Sequence, residues 1–189
     1  MRVILAEKPS VAQSIAAVLG ADQKKNGYLQ GENDLVSWCI GHLIELATPE
    51  IYDARYAKWR REDLPIVPSA WESVVSDGTK KQFAVLKDLL NRTDVDEVVC
   101  ATDAGREGEL IFRMVYEKTG CTKPVKRLWI SSLEESAIRD GFRSLKPGTA
   151  YDALYRAALC RAQADWLVGI NGTRLYSRLY GTKLNVGAS

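Results

Sequence analysis

The sequence predicts an α/β fold, a parallel sheet with helices on both faces, and three observations carry that reading. Short apolar runs of strand type recur, at Val3-Ile4-Leu5-Ala6, at Val98-Val99-Cys100-Ala101 and over Val125 to Ile130. Each is followed by a stretch whose apolar residues return at helical spacing. The first two runs end in polar turns rich in carboxylates, Glu7-Lys8-Pro9-Ser10 and Asp103-Ala104-Gly105-Arg106-Glu107-Gly108-Glu109. Strand then helix, repeated, is how a parallel sheet is wound, and such sheets carry their chemistry at the carboxyl ends of the strands.

The elements follow in order. Arg2 to Ala6 is the first strand. Ser10 is a good N-cap, and Val11, Ile15, Val18 and Leu19 form the stripe of a helix that stops near Gly20. Asp22 to Gly27 is a polar turn. Strand-like pieces lie around Tyr28–Gln30 and Leu35–Ile40, joined by Gly31-Glu32-Asn33-Asp34, and Gly41-His42-Leu43 breaks the second. The region from about Thr48 to Gly78 is irregular, with Pro49, Pro65, Pro68 and the aromatics Tyr52, Tyr56, Trp59 and Trp71; a loop this long in a compact domain is usually functional. A helix is expected over Lys80–Asn91, with Phe83, Leu86, Leu89 and Leu90 on one side. Another follows the central strand, marked by Leu110, Ile111, Met114 and Val115 and ending near Gly120. In the strand from Val125 to Ile130, Trp129 is expected in the core, and Ser131-Ser132 leads into a helix from Leu133 to Phe142. Lys146-Pro147-Gly148 is a break, and Tyr151 to Tyr180 is largely helical, interrupted by Gly169 and Gly172. The expected domains are 1–147, an α/β domain, and 148–189, the start of a helical one.

Composition narrows the class. The 189 residues are 46% hydrophobic and 26% charged, the balance of a globular protein. No apolar run approaches the ~18 residues of a membrane span. Met1-Arg2 leads directly into a strand, so no signal peptide is expected. Cys39, Cys100, Cys121 and Cys160 form no C-x-x-C pair, which argues against a zinc knuckle and suits a reducing, cytoplasmic compartment. Residues 151–189 carry Arg156, Arg161, Arg174, Arg178 and Lys183 against Asp152 and Asp165, a balance of +3, which leaves −1 on the preceding 150 from the net charge of +2. An acidic site beside a basic helical segment suits a metal enzyme that holds a polyanion.

Glu7, Asp103 and Glu107 are expected to meet in space. Two carboxylates about 4 Å apart repel by roughly 4 kcal/mol at an effective dielectric near 20, so three require a cation or a proton between them. An oxygen-only set without neighbouring His or Cys suits magnesium, which keeps waters and binds phosphate oxygens. The N-terminus of the following helix adds N–H donors for a phosphate, and Lys8 and Arg106 are the cations placed to neutralise a transferring phosphoryl group. A single D-x-x-x-E equally fits an ordinary helix start whose acids answer the dipole; its repetition at the first strand favours the site. His42, the only histidine, fits either a structural hydrogen bond or a place near that site.

Leu5-Ala6-Glu7-Lys8-Pro9-Ser10, Gly41-His42-Leu43, Ala101-Thr102-Asp103 through Arg106-Glu107-Gly108-Glu109, and Asp165-Trp166-Leu167-Val168-Gly169-Ile170-Asn171 together resemble type IA DNA topoisomerases, the bacterial topoisomerase III branch most of all. The likeness runs from Met1 to about Gly187. It implies a Toprim fold, a Rossmann-like parallel sheet, followed by the beginning of a helical domain that contacts single-stranded DNA. It implies that Glu7 handles the proton of the 3′ oxygen, that Lys8 stabilises phosphate charge, and that Glu7, Asp103 and Glu107 serve Mg2+. It further implies that Arg106, Arg161, Asp165 and Arg174 lie on the DNA path, with the rest of the same polypeptide as partner and no membrane.

Two departures stand out. The family has a second aspartate two residues after the first, where this chain has Gly105, so metal binding is expected to be weak unless Glu109, Glu7 or water compensates. The family's nucleophilic tyrosine lies downstream of this sequence, and Tyr176 and Tyr180 fit packing or stacking better than attack. The chain is therefore expected to be an N-terminal fragment that does not cleave DNA alone, with Ala188-Ser189 departing from the family's continuation. Two rivals fit the same residues: a self-sufficient metal-dependent nuclease, and a noncatalytic DNA-binding or receiver-type module whose Asp103 accepts a phosphoryl group.

Overall fold

The structure, a computed structural model, describes residues 1–187; Ala188 and Ser189, and the expectation attached to them, lie outside the described residues. In chain order the elements are β1 (Arg2–Ala6), α1 (Pro9–Leu19), β2 (Gln23–Lys25), β3 (Tyr28–Gln30), β4 (Asp34–Trp38), β5 (Ile44–Leu46), α2 (Pro49–Tyr52), β6 (Ser73–Val75), α3 (Lys80–Leu90), β7 (Glu97–Ala101), α4 (Arg106–Thr119), β8 (Val125–Arg127), α5 (Glu135–Arg143), β9 (Lys146–Pro147) and α6 (Asp152–Tyr180). The main sheet has the order β2-β3-β4-β1-β7-β8-β9. Its centre, β4-β1-β7-β8, is parallel, and β2, β3 and β9 pair antiparallel at the margins. The predicted α/β class is thus the observed one, with antiparallel margins added.

Alternation along β1 and β7 divides the core between two faces. Ile4, Ala6, Val99 and Ala101 pack with Ala12, Ile15 and Ala16 of α1 and Ile138 of α5. Val3, Leu5, Val98 and Cys100 point the other way and are buried, as are Leu86, Leu89 and Leu90 of α3 and Leu110, Ile111 and Val115 of α4. Both faces being covered explains why the central strands read as unbroken apolar runs. Burial pushes the Cys100 thiol up to about 11 and the Cys39 thiol further in the same direction. No helix among the described residues is long and apolar enough to cross a membrane.

Several expectations are corrected. α1 starts at Pro9 with Lys8 as N-cap, two residues ahead of the Ser10 cap, because proline's fixed φ suits the first helical position. The polar turn at 22–27 contains β2, whose exposed Lys24 and Lys25 are what an edge strand carries. β8 ends at Arg127, so Trp129 is not a core strand residue; it is 43% exposed and stacks on Tyr151, centroids 5.0 Å apart. The 146–148 break forms β9, pairing Lys146 and Pro147 with Arg127 and Lys126.

The chain divides into two compact units, one of Met1–Ile44 with Val75–Ala158, the other of Glu45–Val74 with the chain from Leu159 onward. These limits differ from a cut at 147/148: Gly148 and Asp152 are hydrogen-bonded to Arg113, and Tyr155 to Glu117, all within the first unit.

The second unit is held by the Asp165–Asn171 segment. Asn171 uses its side-chain amide as a strand would, accepting the Ile66 N–H at 2.6 Å and donating to the Ile66 carbonyl at 2.9 Å. Trp166 donates to the Ala47 carbonyl and meets Tyr52 and Trp71 edge-on. The aromatics of the long irregular region therefore anchor it. Gly169 and Gly172 do not interrupt α6: a Cβ on Gly172 would lie 3.1 Å from the Val186 side chain, so this glycine lets the returning tail lie close against the helix. Thr173 and Ser177 accept the N–H groups of Val186 and Leu184 along that seam.

Candidate active site at the carboxyl edge of the sheet

β1 and β7 are parallel neighbours in the register Ala6 with Ala101, so the residues after them leave the sheet at one level. That brings Glu7 and Asp103 together. Glu7 is only 9% exposed, and its Oε2 accepts the Asp103 N–H at 3.2 Å. Lys8 Nζ stands 3.9 Å from Glu7 Oε1 and 3.8 Å from Asp103 Oδ2. The cation needed between the carboxylates is thus supplied by the protein itself, from the N-cap of α1. Lys8 and the Asp103 carboxylate are both more than half exposed, so the group opens to solvent.

The third parallel strand reaches the same edge. Cys39 N–H donates to the Ala6 carbonyl just beyond β4, and the chain turns at Gly41, φ 65°, to present His42. The His42 Nε2 is hydrogen-bonded to Glu107 Oε1 in the first turn of α4. The histidine thus makes a hydrogen bond, and its partner is Glu107.

The loop between β7 and α4 is tightly built. Thr102 Oγ1 donates to the Gly108 carbonyl at 2.7 Å, and Glu109 N–H donates to the Gly105 carbonyl at 3.1 Å. Gly108 lies directly over the Asp103 backbone, where a Cβ would sit 2.1 Å from the Asp103 carbonyl oxygen. Gly105 differs: its backbone is extended and nothing lies within 4 Å of a Cβ placed there. A side chain at 105 therefore meets no steric barrier.

The three carboxylates expected to share one cation do not gather into a single set; among the described residues no three His, Cys, Asp or Glu side chains form a metal cluster. Glu7 is turned to the Asp103 amide and Lys8, and Glu107 to His42. Glu109 cannot replace the missing aspartate. It is 1% exposed and its two oxygens pair with Arg113 and Arg127, each at 3.0 Å. Asp103 and Glu107 remain as exposed oxygen donors, and one or two carboxylates completed by water and phosphate is a donor chemistry that suits magnesium.

Of the residues expected on a DNA path, Arg106 is exposed at the first position of α4. In the second unit, Arg161 pairs with Asp165 at 3.6 Å. Arg174 is buried, donating to the Tyr56 carbonyl at 2.6 Å and to Glu50 at 2.7 Å, with its guanidinium 5.3 Å from the centre of the Trp59 ring. Arg127, Thr102 and Gly108 were missed by reading the sequence for acids. The available signal was an arginine leading directly into the apolar Leu128-Trp129-Ile130.

Residues 2–133 match the Toprim domain, so the chain belongs to the Toprim family. It is 52% identical over 185 residues to DNA topoisomerase 3 of Bacillus thuringiensis (strain Al Hakam), 54% over 186 residues to that of Shouchella clausii (strain KSM-K16), and 50% over 185 residues to that of Staphylococcus epidermidis (strain ATCC 12228 / FDA PCI 1200). Each likeness covers 98% of this chain and 25–26% of the relative, so the chain spans about a quarter of the length of the curated relatives it matches. The full-length topoisomerase I of Thermotoga maritima has the same fold over 99% of this chain and 27% of its own, with a TM-score of 0.67 and 23% identity.

Proposed function

We propose that this chain is the N-terminal part of a type IA DNA topoisomerase of the topoisomerase III kind, which breaks and rejoins single-stranded DNA with magnesium. The observation that carries the proposal is the group at the sheet edge. One lysine stands between carboxylates from two neighbouring parallel strands, 96 positions apart in the chain, with the start of a 14-residue helix next to them. Glu7, shielded and hydrogen-bonded to the Asp103 amide, is the group that gives and takes the proton of the 3′ oxygen. Lys8, reaching both carboxylates, sits where a phosphate's developing charge is met. Asp103 and Glu107 would hold the ion, which supplies further neutralisation of phosphate charge when bound. Arg106 extends the positive surface, while Arg161 and Asp165 belong to a segment proposed to line the strand's path. Arg174, buried with Glu50 and Tyr56, is proposed to fix the backbone at Tyr56 and to reach a phosphate only at its margin. The remaining domains of the polypeptide, including the one with the nucleophilic tyrosine, are its partners. Free, mostly buried thiols suit work in the cytoplasm.

Incubation of this chain with single-stranded DNA and magnesium or manganese should leave the strand uncut and without a covalent adduct. The full polypeptide should cleave and form a tyrosyl adduct. Glu7→Gln in that polypeptide should lower cleavage by about 10²-fold or more, the usual size of general acid–base catalysis. Scission by the chain alone, without adduct, would favour the nuclease reading. Acceptance of a phosphoryl group by Asp103 from a small phosphodonor would favour the receiver reading.

A further inference from the structure

We propose that Arg127, with Glu109 as its counter-ion, is the positioning residue that sets the Asp103 loop. The proposal deepens the function above and rests on the reading of the Asp103 edge as the reacting site. Where β7 leaves the sheet, carbonyls lose their strand partners, and buried carbonyls require donors. Arg127 supplies them. Its guanidinium is fully buried and donates to the Thr102 carbonyl at 2.7 Å, the Asp103 carbonyl at 2.8 Å and the Leu128 carbonyl at 2.9 Å, with a longer bond of 3.3 Å to the Cys100 carbonyl, which already accepts the Leu128 N–H. Its Nε donates to Glu109 at 3.0 Å, and the Trp129 ring covers the group at 5.0 Å.

Two features make this a clamp on the loop. The two shortest of these bonds go to the carbonyls of Thr102 and Asp103, so the guanidinium fixes the backbone from which the exposed carboxylate projects. Glu109 comes from the first turn of the helix that begins just after the loop, so one ion pair ties both ends of the turn. Arg113 holds Glu109 from the other side and is itself held by Asp152 and the Gly148 carbonyl. A planar five-donor fork can meet several carbonyls in one plane, whereas an ammonium has three donors at one point. Charge alone therefore does not replace Arg127.

The test is hydrogen exchange of backbone amides in the 189-residue chain, wild type against Arg127→Lys, which keeps the charge opposite Glu109, and against the double variant Arg127→Met with Glu109→Leu, which removes both charges. Strand cleavage by the full polypeptide with the same substitutions is read alongside. A clamp predicts exchange at residues 102–105 faster by about tenfold or more in both variants, with the amides of β1 unchanged, and no rescue by lysine. Cleavage should fall together with the local loosening, in kcat rather than in DNA affinity. Normal exchange at 102–105 in Arg127→Lys, or loosening spread evenly over the sheet, would overturn the proposal and leave Arg127 an ordinary buried ion-pair member. Local loosening with undiminished cleavage would overturn it too. Failure of the underlying functional reading is a separate result, seen as a full wild-type polypeptide that does not cleave.

Discussion

Glu109→Ala should lower the stability of the sheet-bearing unit by about 3–5 kcal/mol, because it leaves a buried guanidinium without its counter-charge. The expectation follows from exposure. Arg127 is 0% exposed at its side chain and Glu109 1%, so water cannot take over the lost interaction. Arg113 loses a partner in the same step but keeps Asp152 and the Gly148 carbonyl. Set against a total stability of about 5–15 kcal/mol for a typical domain, the loss is a large share. Thermal or denaturant unfolding measures it. A change below about 1 kcal/mol would mean that the charges are solvated after all.

Gly108→Ala should also destabilise, by about 1–3 kcal/mol, and here the sign is the informative part. Glycine to alanine inside a helix ordinarily stabilises by roughly 0.8–1 kcal/mol. At position 108 the new Cβ would lie 2.1 Å from the Asp103 carbonyl oxygen and 2.9 Å from both its carbonyl carbon and its nitrogen. These are backbone atoms and cannot rotate aside, so α4 and the loop must separate. The bond from Thr102 Oγ1 to the Gly108 carbonyl is then lengthened, and Asp103 is displaced from Lys8. Unfolding together with the amide shift of Asp103 measures both effects. A stabilised variant with an unmoved Asp103 would contradict the close approach.

How far the sequence could be read depended on whether a signal was local. Strand identity at Val3–Ala6 and Val98–Ala101 was legible because both faces of the central strands are buried, which leaves continuous apolar runs. Glu7 and Asp103 were legible as a pair because both follow such runs, and parallel register then delivers them to one edge. The clamp was not legible. Arg127 lies 18 residues from Glu109, and nothing in the spacing shows that the two side chains meet beneath the Asp103 loop. The glycines of α6 were misread because a helix break and a close approach by a returning tail call for the same residue. The tie between Asn171 and Ile66 joins positions 105 apart, so the irregular region gave no local hint of what anchors it. Lys8 was assigned to phosphate charge alone, and its place between two carboxylates appears only once the strands are side by side.

The most direct measurement is paramagnetic broadening of backbone amide signals by manganese. In the 189-residue chain, the amides of residues 103–107 should broaden first, followed by those of Glu7 and Lys8. Asp103→Asn should remove the effect, and Gly105→Asp, entering open space, should produce it at lower manganese. Broadening centred on another part of the chain, or undiminished in Asp103→Asn, would contradict a cation-assisted phosphate site at this edge of the sheet.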